Sequence, residues 1–119
     1  MANVIVDRRK EDHPIWTVKM TQMAWTSAAT AAVEADIPIN GMLRGFSATV
    51  LDNTNSVTVS VAFLDADGGV ISTTAGIAKD ATTHTGSLFV PLCAASVKVT
   101  PSGAPGTTGL TVDLLLTGV

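Results

Sequence analysis

The two histidines, His13 and His84, are the first candidates for metal binding or acid–base chemistry. Neither has a second ligand at the spacing of an HxH, HxxxH or HxxE motif. His13 lies between Asp12 and Pro14, and His84 lies in a threonine-rich stretch. Ordinary surface positions explain both residues better than a metal site does, and the sequence predicts neither a metal nor a cofactor.

The acidic stretch at residues 65–69 resembles the beginning of a calcium-binding loop, because it has carboxylates at alternate positions followed by glycine. A complete loop needs further oxygen ligands and a closing glutamate, but Val70 and Ile71 follow instead. Short polar residues and glycines are also what a tight hairpin turn requires. A hairpin turn is the favoured interpretation, and an ion held by Asp65 and Asp67 together with carboxylates of neighbouring subunits is the alternative.

Cys93 and the serines are the candidate nucleophiles. A nucleophile needs a base beside it, and the chain contains no G-x-S-x-G elbow that would provide this arrangement. Cys93 is the only cysteine, so no intramolecular disulfide can form, and its apolar neighbours predict a small buried residue. No catalytic group can be chosen from these residues, and the protein is predicted not to be an enzyme.

The aromatic residues bear on sugar binding, which usually uses exposed rings as stacking platforms. The chain has two tryptophans, three phenylalanines and no tyrosine. Four of these residues lie in strand patterns and are predicted to be in the core: Trp16, Phe46, Phe63 and Phe89. Trp25 lies in the least regular segment, and it is the aromatic residue that we expect to be exposed or at an interface.

The elements that must position these residues are strands, and the clearest of them is the alternating segment at residues 56–71. Successive side chains of a strand point to opposite faces. One face of this predicted hairpin is therefore apolar, and the other is small and weakly charged. The apolar face consists of Val57, Val59, Val61 and Phe63, and the other face of Thr58, Ser60, Ala62 and Leu64.

The rest of the chain repeats this pattern, with short alternating strands separated by turn residues. Residues 22–35 are predicted to be mostly extended, with one short helix as the alternative, and residues 77–86 to be a polar connection. Pro91 restricts its strand to an edge or a bulge, while residues 110–117 suit an interior strand. The sequence predicts an all-β fold: an antiparallel β-sandwich or jelly-roll-like barrel of about 7–8 strands with a short N-terminal arm.

The N-terminal arm, residues 1–13, differs from the domain predicted over residues 14–119. Six consecutive residues, 7–12, are charged in a chain with only 14% charged residues, and a short β-prone run precedes them. This segment is predicted either to be an edge strand of its own sheet or a partly ordered terminus, or to add to the sheet of a partner. The candidate partner-binding residues are Val4, Ile5, Val6, Arg8, Arg9, Lys10 and Trp25.

Charge and hydropathy exclude two classes of partner. The net charge is −3, and the seven basic residues are scattered apart from the three at positions 8–10, so the chain lacks the basic face that nucleic-acid binding requires. No apolar run approaches the ~18 residues that a membrane span needs, and the N-terminus does not resemble a secretory signal. We expect a protein that is cytosolic when it is made and whose low-charge surface is covered by copies of itself or by another protein.

The segments NSVTVSVAFLDADGGVI, residues 55–71, and SVKVTPSGAPGTTGLTVDLLLTG, residues 96–118, resemble the small β-sandwich virion proteins of tailed bacteriophages. These include capsid decoration proteins, which sit on the outside of the shell. The resemblance implies a structural protein on the virion surface, a homo-oligomer such as a dimer or trimer, and the major capsid protein as partner. The alternative is a carbohydrate-binding or host-surface-binding module of a phage fibre or tail.

Overall fold

The computed structural model describes residues 5–9, 16–26, 28–51, 55–78, 81–85 and 88–119, with backbone alone for residues 5–9, 22 and 81–85. These residues contain no helix and form ten strands where about seven or eight were predicted. The strands are β1 (Ile5–Arg9), β2 (Trp16–Trp25), β3 (Val33–Asp36), β4 (Gly41–Val50), β5 (Val59–Leu64), β6 (Val70–Ile77), β7 (Ala81–Thr85), β8 (Val90–Leu92), β9 (Ser96–Pro101) and β10 (Leu110–Gly118).

The strands form two antiparallel sheets that confirm the predicted all-β class. The six-stranded sheet has the order β1-β2-β10-β4-β7, with β8 also paired to β4, and the four-stranded sheet has the order β3-β9-β5-β6. The pairings are nested along the chain: β5 with β6, then β4 with β7 and β8, then β3 with β9, then β2 with β10. A long antiparallel ribbon folded over in this way is a jelly roll.

The sandwich has two ends that differ in character. The connections at residues 37–40 and 93–95 cross between the sheets at the end where Gly41 begins β4, which we call the Gly41 end. At the opposite end, the Val50 end, Asn55 N–H donates to the Pro105 carbonyl at 3.0 Å and Ser102 N–H donates to the Thr58 carbonyl at 2.8 Å. Main-chain hydrogen bonds between loops therefore close the Val50 end.

One apolar cluster fills the space between the sheets. Phe46 of β4 and Phe63 of β5 meet edge to face across it, with ring centroids 5.5 Å apart. The predicted apolar face of β5 is buried as expected, and each large apolar side chain removed from water in this way stabilises the fold by roughly 1.5–3 kcal/mol. The fully buried large side chains are Phe63, Met20, Met23, Leu43, Leu110, Leu114, Leu116, Val18, Val50, Val59, Val61 and Val97.

A β-bulge in β2 changes which side chains face the core. Leu114 lies opposite Met20 and Val112 lies opposite Met23, so β2 contains one more residue than β10 between these pairs. The extra residue reverses the alternation, and Met23 and Trp25 therefore turn inward. The expectation of an exposed Trp25 is wrong, since this side chain is 5% exposed.

A second bulge has the same effect in β4. Thr117 lies opposite Gly45 and Gly118 lies opposite Leu43, which leaves Arg44 as the extra residue. Strict alternation predicts that Leu43 and Phe46 point to opposite faces, but both are buried and Arg44 is exposed. The bulge is the physical reason, because it turns the bulky polar side chain of Arg44 outward and keeps both apolar neighbours inside.

Two short strands share the outer edge of β4. β7 pairs with its second half and β8 with its first half, so the prediction of a polar connection over residues 77–86 is wrong for residues 81–85. The pairing follows from the main-chain hydrogen bonds of β4, which need partners on this side, and from the β-branched threonines of β7, which suit a strand.

Pro91 lies at the edge of the sheet, as predicted. Met42, opposite Pro91, exchanges both main-chain hydrogen bonds with Val119, at 2.8 and 2.9 Å. The main-chain hydrogen bonds between β4 and β8 are therefore made by the neighbouring pairs, Gly41 with Leu92 and Leu43 with Val90. Pro91, which has no N–H to donate, has its nitrogen on the unpaired side of β8. Val90 and Leu92 occupy the inward positions of β8, so Phe89 faces out and the prediction of a core Phe89 is wrong: it is 67% exposed.

The described residues include no helix of the length and hydrophobicity that would cross a membrane.

Replacing Gly118 by alanine tests how tightly the Gly41 end is packed. Gly118 is buried, and a Cβ atom there would collide with the Met42 carbonyl oxygen and the Trp16 ring. We expect Gly118→Ala to lower the free energy of unfolding by about 3 kcal/mol, since overpacking against main chain cannot relax easily. Urea unfolding measures the loss.

Gly103→Ala is the matched control, because a Cβ atom at Gly103 has no neighbour within 4 Å. We expect a change within about 0.5 kcal/mol. Equal effects of the two substitutions would contradict the packing described for Gly118.

Candidate binding surfaces

The N-terminal segment lies on the outermost position of the six-stranded sheet. Ile5 is opposite Thr21 and Arg9 is opposite Thr17, in an antiparallel pairing that runs through the whole of β1. The structure thus shows the first of the two predicted alternatives, an edge strand of its own sheet. Val6 and Arg8 are part of this strand, whereas Val4, Lys10 and the predicted domain boundary at residues 13–14 lie outside the described residues.

Trp25 has a structural role in this chain. Its side chain is buried, and its Nε1 donates a hydrogen bond of 2.7 Å to the carbonyl oxygen of Ala31. This bond ties the segment between β2 and β3 to the core, and it satisfies the one polar group of a buried indole. The indole therefore offers no surface to a partner, which corrects its place among the candidate partner-binding residues.

The acidic turn closes the β5–β6 hairpin, as predicted. Asp65 Oδ1 accepts hydrogen bonds from the N–H of Asp67 at 2.9 Å and of Gly69 at 2.8 Å, and Gly68 has a φ of 85°, which favours glycine. The Asp65 carboxylate is thus used within the turn. No group of three or more histidine, cysteine, aspartate or glutamate residues lies together in a metal-binding arrangement within the described part of the chain.

The other candidates for chemistry are dispersed. Cys93 is exposed in the connection between β8 and β9, and the prediction of a buried thiol is wrong. Its neighbour Ala94 adopts a φ of 52°, so the tight crossing between the sheets turns residue 93 outward. His84 lies in β7 opposite Ser47, and His13 lies outside the described residues.

The outer face of the six-stranded sheet, which points away from the core, has a central strip with little charge. Leu115 lies in its middle, 37% exposed, opposite Lys19 on one side and Ser47 on the other. Only Lys19 and Asp113 are charged among the described side chains of this strip. The central strip consists of Thr17, Lys19, Thr21, Ala24, Ser47, Thr49, Thr111, Asp113, Leu115 and Thr117.

The outer face of the four-stranded sheet is different. Glu34, Lys98 and Ala62 lie side by side across three strands, so this face carries charged groups in its middle. Ser60 and Ala62 are half-buried and Leu64 is buried at the Gly41 end. The weakly charged face that the sequence predicts for β5 is therefore narrow, because charged residues of the neighbouring strands flank it.

Exposed large apolar side chains are concentrated at the Gly41 end. Phe89 is 67% exposed, Val70 64%, Val119 49% and Ile71 37%, while Leu51 lies at the Val50 end. The Arg44 guanidinium carbon lies 4.6 Å from the centre of the Phe89 ring. If Val90 and Leu92 face the core, alternation predicts that Phe89 faces outward. The sequence pattern is equally compatible with a longer strand in which Phe89 faces the core.

Single exposed apolar residues are ordinary on protein surfaces, but clusters of them mark interaction sites. The Gly41 end has such a cluster and is one candidate binding surface of the described residues. The central strip around Leu115 is the other, because few of its side chains are charged.

Comparison with known proteins places this chain in no family. No family model matches the sequence, and no curated protein matches it. Solved structures of similar shape include an accessory secretory protein complex of Streptococcus pneumoniae, with 12% identity over 93% of this chain and 83% of the other and a TM-score of 0.49. A Bacillus endospore appendage pilin has 14% identity over 98% and 87% and a TM-score of 0.47.

An infectious bursal disease virus structure shares 12% identity over 98% of this chain and 33% of the other, with a TM-score of 0.41. Similarity at this level does not extend to function, which has to be derived from the surfaces of the chain itself.

The role of Asp65 in the hairpin turn can be tested directly. Asp65→Ala removes the acceptor of two main-chain N–H groups, and we expect it to lower the free energy of unfolding by about 1 kcal/mol. Asp67→Ala keeps both bonds and is the control, with an expected change within about 0.5 kcal/mol. Thermal unfolding of the two variants compares them, and a larger loss for Asp67→Ala would contradict the assignment.

Proposed function

We propose that the protein is a non-enzymatic structural protein of a phage virion, and that it decorates and stabilises the capsid by lying on the shell. The observation that carries this proposal is the central strip on the outer sheet face, which has an exposed leucine in its middle and two charged side chains among its ten described residues. Jelly rolls are common in viral capsids. Because a fold does not determine a function, the proposal rests on the surface.

The composition of the central strip suits a protein partner. Burying hydroxyl and apolar groups requires far less desolvation than burying charges, and the outward hydroxyls can form hydrogen bonds at a wet interface. A specific contact needs about 800 Å² on each partner. Many copies on one shell would add weak contacts through multivalency, so that no single contact has to be strong.

The N-terminal strand would extend this contact. β1 is the outermost strand of the sheet, with one side paired to β2. The main-chain groups on the other side of such a strand can add a strand of a partner. Ile5, Val6, Arg8 and Arg9, together with Val4 and Lys10, are the residues that we propose to contact the major capsid protein there.

Leu115→Asp tests the central strip. We expect about tenfold weaker binding to shells, because a buried charge would replace the apolar centre of the contact. Co-sedimentation of the purified protein with candidate phage shells measures binding. Leu51→Asp is the control, since Leu51 is 48% exposed at the Val50 end and its substitution should leave binding unchanged.

If the wild type and a folded Leu115→Asp variant bind shells equally well, the proposed docking face is wrong. Binding of neither wild type nor Leu51→Asp to any shell would contradict the capsid role as a whole.

Deleting residues 2–12 tests the arm. The sandwich keeps the nested ribbon from β2 to β10 without β1, so the truncated chain should still melt cooperatively. We expect attachment to shells to weaken at least tenfold because strand addition and ionic contacts are both removed. Full attachment of the folded truncated chain would limit the contact to the central strip.

A carbohydrate-binding role is the second candidate, and Phe89 is the observation that favours it. Its ring is exposed beside Arg44, and an aromatic face with a cation can bind a sugar ring that carries an acidic group. A glycan array with wild type and Phe89→Ala tests this role. Phe89-dependent binding would support it, and absence of signal for wild type would reject it.

A further inference from the structure

Apart from Val119, the exposed apolar side chains of the Gly41 end form two groups, one on each sheet. The first group, which we call the β8 corner, lies on the outer face of the six-stranded sheet and consists of exposed Phe89 and Pro91 with exposed Arg44 and half-buried Met42. The second group is the hairpin tip of the four-stranded sheet, with exposed Val70 and Ile71 directly after the turn at residues 65–69. Each group is small, and neither is covered by another described residue.

The topology places both groups at one side of the molecule. β6 ends at Ile77 and β7 begins at Ala81, and a connection this short spans at most about 14 Å. The β6 edge of one sheet therefore lies next to the β7 and β8 edge of the other. β8 continues into β9 through residues 93–95 at the Gly41 end, where β9 is paired with the last residues of β5. The β8 corner and the hairpin tip thus share one end and one side.

The two groups carry opposite charges. Arg44 is exposed on the β8 corner, at the bulge that turns it outward. Asp67 is exposed on the hairpin tip, where the Asp65 carboxylate fixes its main chain. A surface with apolar side chains and a cation in one part and apolar side chains and an anion in the other is complementary to a second copy of itself.

We infer that two copies associate end to end at their Gly41 ends. The two-fold axis of this dimer lies midway between the two sheets and is perpendicular to the strands, beyond the Gly41 end. Rotation about it makes the second copy point in the opposite direction and places its four-stranded sheet in line with the six-stranded sheet of the first copy. The side of the molecule that carries β6 and β8 is the same in both copies. The hairpin tip of each copy then meets the β8 corner of the other. Both contacts occur twice, as in every isologous interface.

Each contact joins Val70 and Ile71 to Phe89 and Pro91, and Asp67 to Arg44. Charged residues of this kind set the register and the choice of partner, while the apolar side chains supply most of the affinity. The inference deepens the proposed virion role, on which it rests for its biological purpose, because a dimer attaches through two central strips instead of one.

The experiment is sedimentation velocity of the purified chain alone over a range of concentrations. We expect the wild-type chain to dimerise and Arg44→Glu and Asp67→Lys each to weaken the dimer at least tenfold, since each substitution places like charges together twice. The double variant, Arg44→Glu with Asp67→Lys, restores opposite charges and should recover most of the affinity. Glu34→Lys reverses an exposed charge on β3, at the edge of the four-stranded sheet opposite β6, and is the control that should leave the dimer unchanged.

Recovery in the double variant supports the inference. A monomeric wild type at all concentrations overturns it, as does a dimer that neither single variant weakens or that the double variant fails to recover. Because Arg44→Glu also removes the contact with Phe89, Asp67→Lys provides the test that leaves the β8 corner intact, and circular dichroism checks that each variant is folded. Shell binding is not measured, so failure here is distinct from failure of the capsid role.

Discussion

The apolar layer between the two sheets determines which way each side chain of the sandwich points. An isolated strand alternates strictly, but three strands here depart from alternation where their sequences would otherwise place the wrong residue inside. In β2 the bulge brings in Trp25, and in β4 it turns out Arg44 while Leu43 and Phe46 both stay inside. Burying these apolar side chains stabilises the fold by more than the loss of regular main-chain hydrogen bonding at one residue destabilises it. The strands therefore form bulges where the core requires them.

The nested ribbon has a further consequence for the six-stranded sheet. β10 is the last of the described strands, and it lies between β2 and β4 with a ladder on each side. The sheet is therefore incomplete until residues far apart along the chain have met, and its contacts are predominantly long-range. A topology of this kind folds cooperatively and slowly compared with helical domains of the same length. It also gives a rigid frame on which short edge elements are positioned.

Edges and ends carry the features that could serve assembly. The two open sides of the six-stranded sheet end in β1 and in the β7 and β8 pair, and Pro91 blocks further pairing along part of the second side. β6, the outer strand of the other sheet, has two register shifts against β5, which also make it a poor template for a strand of another chain. Side-chain contacts are thus better suited than strand addition to the Gly41 end, while β1 keeps an unbulged outer edge.

The sequence by itself determined the fold class, the β5–β6 hairpin and the edge position of Pro91. Each of these follows from local chemistry: alternation of Val57 to Phe63, the glycines and aspartates of a tight turn, and a missing N–H. Tertiary structure alone decided the burial of Trp25 and the exposure of Phe89 and Cys93. Whether a bulge forms depends on the partner strand and on the space in the core that must be filled. Contacts with residues distant in the chain therefore decide whether each side chain beyond the bulge faces the core or the solvent.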